Sequence, residues 1–310
     1  MPESNLHLRE KMFTPPIPGE KIISPRQISY WIGNEIGHGS FGIVFECSDD
    51  WSNTLAAKVL VPNQKPYDLI RDNWLLEIKN LLLMRHPNIT FIYDAFEYRD
   101  TFYIITERCY WTIRDLIKEI PNFQGNLWIR PVARCLLQAV HYLHTYGYVH
   151  KDIHSGNVFT SLTRNEVAPN LPGAIAFKLG DLGISKLAGD INFFNTILAE
   201  WMLPPEYLKP EEFGTIDQRM DIYHCGLLFL QILIGKELNF NHDQIISGEP
   251  RMLAEGLPSP YGFAIGKALR RHGVQRTQSA MELWHDLGLK PSAGTNHPIQ
   301  IPVNAEKDTK

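Results

Sequence analysis

Two oppositely charged residues in apolar surroundings restrict how this 310-residue chain can fold. Lys58 lies in LAAKVL, a strand-like run in which an unpaired ammonium group would be costly to bury. Glu77 follows nineteen residues later in a helix-like stretch. Apolar residues at −7, −3, +4 and +7 place it in a core-facing stripe: Ile70, Trp74, Leu81 and Met84. The sequence therefore predicts that Lys58 pairs with Glu77, the alternative being that either side chain reaches solvent along its aliphatic stem.

Composition and charge exclude several classes of protein. A net charge of −4 gives no basic surface for nucleic acid or for an acidic membrane. The longest apolar run, residues 225–235, is too short to cross a bilayer, and the N-terminal stretch lacks the apolar segment of a secretory signal. The four cysteines form no CxxC pair, which predicts neither a disulfide framework nor a zinc site. We therefore expect a soluble, cytoplasmic protein that neither binds nucleic acid nor inserts into membranes.

The secondary-structure signals change from strands to helices near Cys109. Short strand-like runs begin at Tyr30, a helix is predicted at about residues 67–85, and two further strands follow. Beyond Cys109 the pattern is mainly helical, and the stretch DIYHCGLLFLQILIG is apolar on all sides, which predicts a buried helix. The prolines of residues 1–26 predict an extended leader rather than a packed element. Strands followed by helices indicate an α+β protein in two lobes.

The stretch IGHGSFGIV supplies three glycines with G-x-G-x-x-G spacing, Gly37, Gly39 and Gly42. This spacing alone is a weak signal, because tight turns use the same residues. A dinucleotide-binding loop opens a helix after the third glycine, whereas here a strand continues, which indicates a hairpin. Glycine lets backbone amides approach an anion without an intervening Cβ, so the hairpin is suited to covering phosphates. A plain glycine-rich hairpin is the alternative.

A second candidate site is the loop HKDIHSGN, in which Asp152 precedes Asn157 by five residues. In phosphoryl transfer an acid can orient the attacking hydroxyl and an amide can hold a metal ion. The alternative is a polar loop that contains an acid by chance.

Taken together, these stretches resemble the motifs of the protein kinase family, in the family's order, over roughly residues 28–288. The matching stretches are GHGSFGIV, AAK, EIKNLLLMRHPNI, VHKDIHSGN, KLGDLGISK, PPEYL, DIYHCG and VQRTQSAMEL. The resemblance implies a bilobal kinase-like fold with a β-rich N-lobe, one main N-lobe helix and a larger helical C-lobe. The implied divisions are an N-terminal extension (1–27), the N-lobe and hinge (28–109), the C-lobe (110–288) and a C-terminal tail (289–310).

The resemblance also implies ATP and Mg²⁺ as cofactors and a role for each motif residue. Asp152 would orient the acceptor hydroxyl and take up its proton, while Asn157 and Asp181 would hold magnesium. Lys58, steadied by Glu77, would contact the α- and β-phosphates. The implied nucleotide contacts are Ile36, Gly37, Gly39, Ser40, Gly42, Val44, Ala56, Lys58, Thr106, Glu107, Cys109 and Phe159. The implied apolar stack that aligns the lobes consists of Leu81, Ile92, Leu182 and His150, which makes the histidine structural.

Lys151 departs from the family pattern, in which an arginine before the catalytic acid binds a phosphorylated activation loop. Lysine holds a phosphate less specifically because it is a point charge. We therefore hypothesise that activity depends weakly on phosphorylation of Thr196 or Ser185, the only hydroxyls between Asp181 and Glu206.

His154 departs as well, because serine/threonine kinases usually have lysine and many tyrosine kinases have alanine at this place. Ala199 and Met202 stand where a threonine and a tyrosine usually precede the PPE anchor. We hypothesise that His154 is a catalytic residue that partly replaces the lysine at the phosphate, so that turnover falls as it loses its proton. A solvent-facing histidine without a role is the alternative.

The function implied is a protein kinase that transfers the γ-phosphate of Mg-ATP to Ser/Thr hydroxyls of protein substrates and autophosphorylates, with tyrosine as a further acceptor. The loop HxDIHxGN also resembles aminoglycoside and choline phosphotransferases, but those lack the PPE, DIYHCG and Arg276 anchors. The resemblance implies that Arg276 pairs with Glu206 of the PPE anchor. A pseudokinase that only binds partners is disfavoured because Lys58, Asp152, Asn157 and Asp181 are all present. No stretch predicts a particular substrate or an oligomeric state.

Overall fold

The computed structural model describes residues 13–39, 42–61, 66–163, 173–182, 186–187 and 202–288. The N-lobe is built on a six-stranded sheet in the order β1-β2-β3-β4-β6-β5, and every neighbouring pair in it is antiparallel. Its strands are β1 Lys21–Ile23, β2 Ser29–Gly39, β3 Gly42–Asp49, β4 Thr54–Leu60, β5 Ile92–Tyr98 and β6 Thr101–Glu107. The described residues between 110 and 288 form a mainly helical C-lobe, which confirms the predicted α+β fold in two lobes.

Both faces of the N-lobe sheet carry apolar side chains. Successive side chains of a strand point to opposite sides of the sheet, so alternate residues pack into two different apolar clusters. Phe102 and Ile104 of β6 belong to the large core shared with the C-lobe, whereas Tyr103 and Ile105 belong to a separate cluster on the outer face. Helix α1 (Tyr67–Leu83) covers the inner face, and its Trp74 ring lies 4.9 Å from that of Phe102. The helix predicted at about 67–85 is thus present and ends two residues earlier than expected.

The segment that precedes the sheet packs against the outer face. Phe13 contacts the outer apolar cluster, and Thr14 N donates to Thr101 Oγ1 at 2.9 Å, while Thr101 Oγ1 donates to Thr14 O at 3.0 Å. Strand β1 then extends the sheet beside β2. The prediction of an unpacked leader is therefore wrong for residues 13–23, because proline fixes its own φ but leaves its neighbours free to make contacts. Residues 1–12 lie outside the described part, and the boundary at residue 27 stays a prediction.

The C-lobe is organised around two long helices, α3 and α6. Helix α6 has 16 residues and buries most of them on all sides, which confirms the buried helix predicted from DIYHCGLLFLQILIG. The C-lobe helices are α2 Ile113–Glu119, α3 Gly125–Thr145, α4 Pro205–Leu208, α5 Pro210–Phe213, α6 Arg219–Ile234, α7 His242–Ser247, α8 Glu249–Glu255, α9 Tyr261–Ala268 and α10 Ala280–Asp286. Its strands are β7 Tyr148–Val149, β8 Val158–Thr163, β9 Ala174–Leu179 and β10 Lys186–Leu187. Across the described ranges, no helix has both the length and the apolar character needed to cross a membrane.

Candidate active site

Three of the predicted site residues meet between the lobes. Lys58 Nζ on β4 lies 2.6 Å from Glu77 Oε1 on α1 and 3.3 Å from Asp181 Oδ1, which follows β9. Glu77 is only 6% exposed, so the predicted core-facing carboxylate is indeed buried. The strand and helix therefore pack as the charged pair requires, and neither side chain of the pair extends freely into solvent.

The charges of this cluster fix its protonation. Burial alone would lower the pKa of the Lys58 ammonium, but the Asp181 and Glu77 carboxylates outweigh burial and raise that pKa. Burial raises the pKa of Glu77, and the nearby Asp181 carboxylate raises it further, although the Lys58 charge opposes both effects. One cation thus serves two carboxylates, and Lys58 carries its charge throughout the neutral range.

The loop that carries Asp152 is fixed by Asp221 at the start of α6. Asp221 Oδ2 accepts from His150 N at 2.8 Å and Asp221 Oδ1 accepts from Lys151 N at 2.8 Å. His144 Nε2 of α3 lies 2.8 Å from the same Oδ2 atom. Lys151 has a φ of +73°, a conformation uncommon for residues other than glycine, so these bonds hold the loop in a restricted shape. Burial opposes ionisation of Asp221, but the hydrogen bond and charge of His144 outweigh it and lower the pKa of that carboxyl.

Asp152 and Asn157 contact each other directly. Asn157 Nδ2 donates to Asp152 O and to Asp152 Oδ2, both at 2.9 Å. The Asp152 N–H donates to His150 Nδ1 at 3.2 Å, so His150 Nε2 carries the ring proton and donates to Gly180 O at 3.0 Å. Gly180 N donates to Asn157 O at 2.9 Å. Hydrogen bonds therefore connect the acid–amide loop to the residue that precedes Asp181.

His154 faces the acid rather than bulk solvent. Its Nδ1 accepts from Gly156 N at 2.9 Å, and its Nε2 lies 3.7 Å from Asp152 Oδ2. Burial would raise the pKa of Asp152, but the interactions with His154, and more weakly with His150 and His224, outweigh burial and lower that pKa. Asp152 is therefore ionised at neutral pH and can accept a proton.

The segment around Asp181 is held by α1 as well as by the catalytic loop. Asp181 has a φ of +58°, and Leu182 after it is fully buried in the core between the lobes. Asn80, one helical turn after Glu77, donates from Nδ2 to Leu182 O at 3.0 Å. Leu81, Ile92 and His150, the other members of the predicted apolar stack, are also buried. Along the described residues, no three His, Cys, Asp or Glu side chains form a group that could hold a metal ion.

The glycine-rich hairpin joins β2 to β3, with Gly39 opposite Gly42 and Gly37 opposite Val44. A Cβ at Gly42 would lie 2.4 Å from Val59 O, so the sheet itself requires glycine there. A Cβ at Gly37 would meet nothing closer than Val44 Cβ at 3.8 Å, so packing does not explain the absence of a side chain. Ile36 lies on β2 of the same hairpin, whereas Ser40 lies outside the described residues.

The other predicted nucleotide contacts lie on both sides of the interlobe connection. Ala56 on β4 is opposite Thr106 on β6, and Phe159 on β8 forms a bridge with Thr112 just after the connection. The Glu107 carboxylate binds Lys178 Nζ at 2.7 Å and Ser161 Oγ at 3.1 Å. This pairing places the Glu107 side chain against β8 and β9.

The connection itself carries a partly buried thiol and an arginine. Arg108 donates from a terminal guanidinium nitrogen to Cys109 O at 2.9 Å. Burial, reinforced by the nearby Glu107 carboxylate, raises the pKa of the Cys109 thiol to about 12, so this thiol is protonated at neutral pH.

The predicted anchor of the C-lobe is present. Arg276 binds Glu206 through two hydrogen bonds of 2.7 Å, and both side chains are buried. Met202 is buried nearby, and its carbonyl oxygen lies 3.1 Å from His224 Nε2. Besides Ser40, three further residues of the sequence hypotheses lie outside the described part: Ser185, Thr196 and Ala199.

Several residues that hold the site were missed in the sequence. Asn80 lies three positions after Glu77 on the same face of α1, so its place on the helix could have identified it. His144 lies on an amphipathic helix, where a histidine is ordinarily a surface residue, and no sequence signal connects it to Asp221. Lys178 likewise has no signal that pairs it with Glu107.

This arrangement and the sequence comparisons agree. A profile described as "Protein kinase domain" matches residues 30–255, most of the chain. The chain belongs to the protein kinase family.

Similar proteins include "Serine/threonine-protein kinase TAO2" of Xenopus laevis, which is 29% identical over 213 residues, 67% of this chain and 19% of that protein. "Serine/threonine-protein kinase TAO3" of Pongo abelii is 28% identical over 286 residues, 89% of this chain and 30% of that protein. "Serine/threonine-protein kinase TAO3" of Mus musculus is 29% identical over 210 residues, 67% of this chain and 22% of that protein. The chain thus spans less than a third of the length of each of these relatives.

Proposed function

We propose that this chain transfers the γ-phosphate of ATP to serine and threonine hydroxyls of protein substrates and autophosphorylates. The observation that carries the proposal is that hydrogen bonds join the acid–amide loop to Gly180, the residue before Asp181, whose carboxylate contacts Lys58 of the lysine–glutamate pair. The printed names of the relatives, which are serine/threonine-protein kinases, support the acceptor type.

In this proposal Asp152 orients the acceptor hydroxyl and accepts its proton. The lowered pKa of Asp152 supports this role, because the carboxylate is ionised before the hydroxyl arrives. Lys58 contacts the phosphates of the nucleotide, and Glu77 keeps the ammonium in place. Catalysis by such a site depends mainly on positioning and on neutralising charge.

We assign nucleotide binding to the hairpin and the interlobe connection. The open space at Gly37 fits an anion that approaches the backbone amides, which a plain hairpin would not need. The proposed nucleotide contacts are the twelve inferred from the family resemblance, with Val44, Ala56 and Phe159 around the adenine and Thr106 at the back of the pocket.

Magnesium fits the donor set between the lobes. Asp181 offers a carboxylate, and Asn157 offers its amide oxygen because its Nδ2 atom is used by Asp152. Mg²⁺ is usually held in such sites by one or two protein ligands together with the phosphates of the substrate. When bound, the ion would neutralise phosphate charge between these two side chains.

Two features favour a protein acceptor over a small molecule. The buried Arg276–Glu206 pair fixes the segment after the activation loop to the C-lobe. Asp221 of the DIYHCG motif fixes the catalytic loop. Small-molecule phosphotransferases with a similar loop lack these anchors, and a non-catalytic kinase-like protein would not need an ionised Asp152.

We further propose that activity depends weakly on phosphorylation of the activation loop and that His154 contributes at the phosphate. The Lys151 side chain is 1% exposed, which supports a structural role rather than a receptor for a loop phosphate. The position of His154, 3.7 Å from Asp152 Oδ2, supports a role beside the acceptor. All four cysteines are unpaired, which supports a location in the reducing cytoplasm.

The test is phosphate transfer from labelled ATP to casein, to choline and to an aminoglycoside, followed by phosphoamino acid analysis. The wild type is expected to label serine and threonine of casein and itself, and the Asp152→Asn variant is expected to lose about a thousandfold or more in kcat. Exposed Asp243→Asn on α7 is the matched control and should retain full activity. Equal activity of wild type and Asp152→Asn, or transfer only to a small molecule, would contradict the proposal.

A further inference from the structure

A polar cavity lies beside the catalytic loop on the C-lobe. Its volume is about 230 Å³, and it opens between helix α2, the loop and the end of α6. Arg114 N donates to Ser155 O at 2.9 Å and thereby fixes the start of α2 to the loop. The cavity is lined by Arg114, Lys118, Ser155, Gln231, Glu237 and Asn239.

Two buried oxygen atoms of the lining have no hydrogen-bond partner among the described residues. Ser155 Oγ and Gln231 Oε1 are unpaired, although the two residues are only 1% and 3% exposed. Gln231 uses its Nε2 atom to donate to Leu238 O at 3.2 Å, so its oxygen remains an acceptor. Buried polar groups are nearly always hydrogen-bonded, so each of these atoms needs a partner at the cavity wall, water or a ligand group: Gln231 Oε1 needs a donor, and the Ser155 hydroxyl can donate to an acceptor.

The charge of the cavity favours an anionic ligand. Glu237 lies 2.5 Å from Arg114 Nε and 3.5 Å from Lys118 Nζ, so two cations surround one carboxylate. The lining therefore keeps one uncompensated positive charge. All three side chains are partly exposed, at 39%, 54% and 33%, so a ligand can reach them from solvent.

The cavity is also close to the proposed acceptor position. A Cβ at Gly156 would lie 3.4 Å from Arg114 Cζ and 2.8 Å from His154 Cε1, so the guanidinium and the imidazole are near neighbours. The His154 ring in turn lies 3.7 Å from the Asp152 carboxylate. A group bound in the cavity is thus separated from Asp152 by a single side chain.

We propose that this cavity is a specificity subsite for an anionic side chain of the protein substrate, either aspartate or glutamate or a phosphorylated residue, close in sequence to the acceptor. The anion pairs with Arg114 and Lys118 and accepts from Ser155 Oγ, while a backbone N–H of the substrate donates to Gln231 Oε1. A peptide supplies both groups, whereas free phosphate supplies no such backbone donor. This inference rests on the proposed function.

The test uses peptides with one serine acceptor and with aspartate, phosphoserine, alanine or lysine at each neighbouring position. At one position the wild type should prefer the anionic residues over alanine by about tenfold in kcat/KM. Arg114→Ala and Lys118→Ala should each remove most of this preference, and Arg251→Ala, an exposed arginine on α8, should retain it. Thermal unfolding of each variant verifies that it is folded, and the half-exposed Lys118 provides a test even if Arg114→Ala unfolds.

Equal use of anionic and alanine peptides would overturn the subsite. A preference for lysine that Glu237→Gln removes would overturn it as well, because the cavity would then select basic residues. If no peptide is phosphorylated, the proposed function fails, and the subsite is judged by peptide binding alone.

Binding is measured with a fluorescein-labelled peptide that has alanine in place of the acceptor serine. This peptide should bind about tenfold more tightly with aspartate than with alanine at the selected position. Loss of this difference in Arg114→Ala supports the subsite, and displacement of the peptide by inorganic phosphate as readily as by phosphopeptide would overturn it.

Discussion

Arg276 and Glu206 form a buried, two-pronged ion pair in which both hydrogen bonds measure 2.7 Å. The guanidinium also donates to Arg219 O, Arg270 O and Arg271 O and lies 4.9 Å from the centre of the Tyr223 ring. The pair therefore joins α4 to the start of α6 and to the loop before α10. Because every donor is used, this arginine acts as the central connector of the C-lobe.

We expect Arg276→Met to lower the free energy of unfolding by about 3–5 kcal/mol, because it leaves the Glu206 carboxylate buried without a cation. Urea denaturation measures this loss. The double variant Glu206→Gln/Arg276→Met should be less destabilised than the sum of the single variants, and the exposed Arg251→Met is the control. A loss below about 1 kcal/mol for Arg276→Met would contradict the central role.

Replacement of Asp221 by alanine should destabilise the protein by about 3–5 kcal/mol, because two backbone N–H groups and His144 lose a charged acceptor. The folded-state pKa of Asp221 is lowered, so its contribution is present above the unfolded-state value of about 4 and disappears as the pH falls through the folded-state value. Denaturation curves at successive acid pH values should therefore show a loss in the wild type that is smaller in Asp221→Ala. Parallel acid losses in both proteins would contradict this.

His154→Ala should change the acid limb of the pH–rate profile. Burial raises the pKa of Asp152 and His154 helps to lower it, so removal of the imidazole should move the acid limb of kcat/KM to higher pH. Exposed His285→Ala on α10 is the control. A profile identical to that of the wild type would remove His154 from the proposed site.

Substitution by alanine should affect stability differently at two glycines of the hairpin, Gly42 and Gly37. Gly42→Ala places a Cβ 2.4 Å from Val59 O and should cost about 1–3 kcal/mol of stability. Gly37→Ala meets only Val44 Cβ at 3.8 Å, so stability should change by less than about 0.5 kcal/mol. If the open space at Gly37 serves phosphates, the KM for ATP should nevertheless rise severalfold. Unfolding curves and steady-state kinetics separate the two effects, and an unchanged KM in Gly37→Ala would argue against nucleotide binding there.

The central contacts of the candidate site could be predicted because each involves a charged residue in an apolar stretch of sequence. Lys58 in an apolar strand and Glu77 in an apolar helical stripe each require an internal partner, and the observed 2.6 Å contact satisfies both. The buried helix α6 was predictable because its residues are apolar on every face. The Arg276–Glu206 pair was predictable only through the family motif, since the two residues lie far apart in the chain.

The remaining contacts depend on how distant elements meet, and this is not encoded locally. His144 reaches Asp221 only because α3 and α6 pack together, and Lys178 reaches Glu107 only because β9 lies behind the interlobe connection. The polar cavity likewise combines residues of four separate segments, and only Ser155 lies in a recognisable motif. Side chains of this kind resemble ordinary surface residues until the fold brings their partners close.

The packed N-terminal segment has a practical consequence for expression of the catalytic lobes. Phe13 and the Thr14–Thr101 hydrogen bonds cover apolar side chains on the outer face of the N-lobe sheet. A shortened protein that starts at residue 28, where the kinase motifs begin, would expose that face to water and lose an edge strand. Such a protein should self-associate in sedimentation experiments, whereas one that starts before Phe13 should stay dispersed. Choosing the first residue from the motifs alone would therefore remove the segment that shields this apolar face from a second copy of the chain.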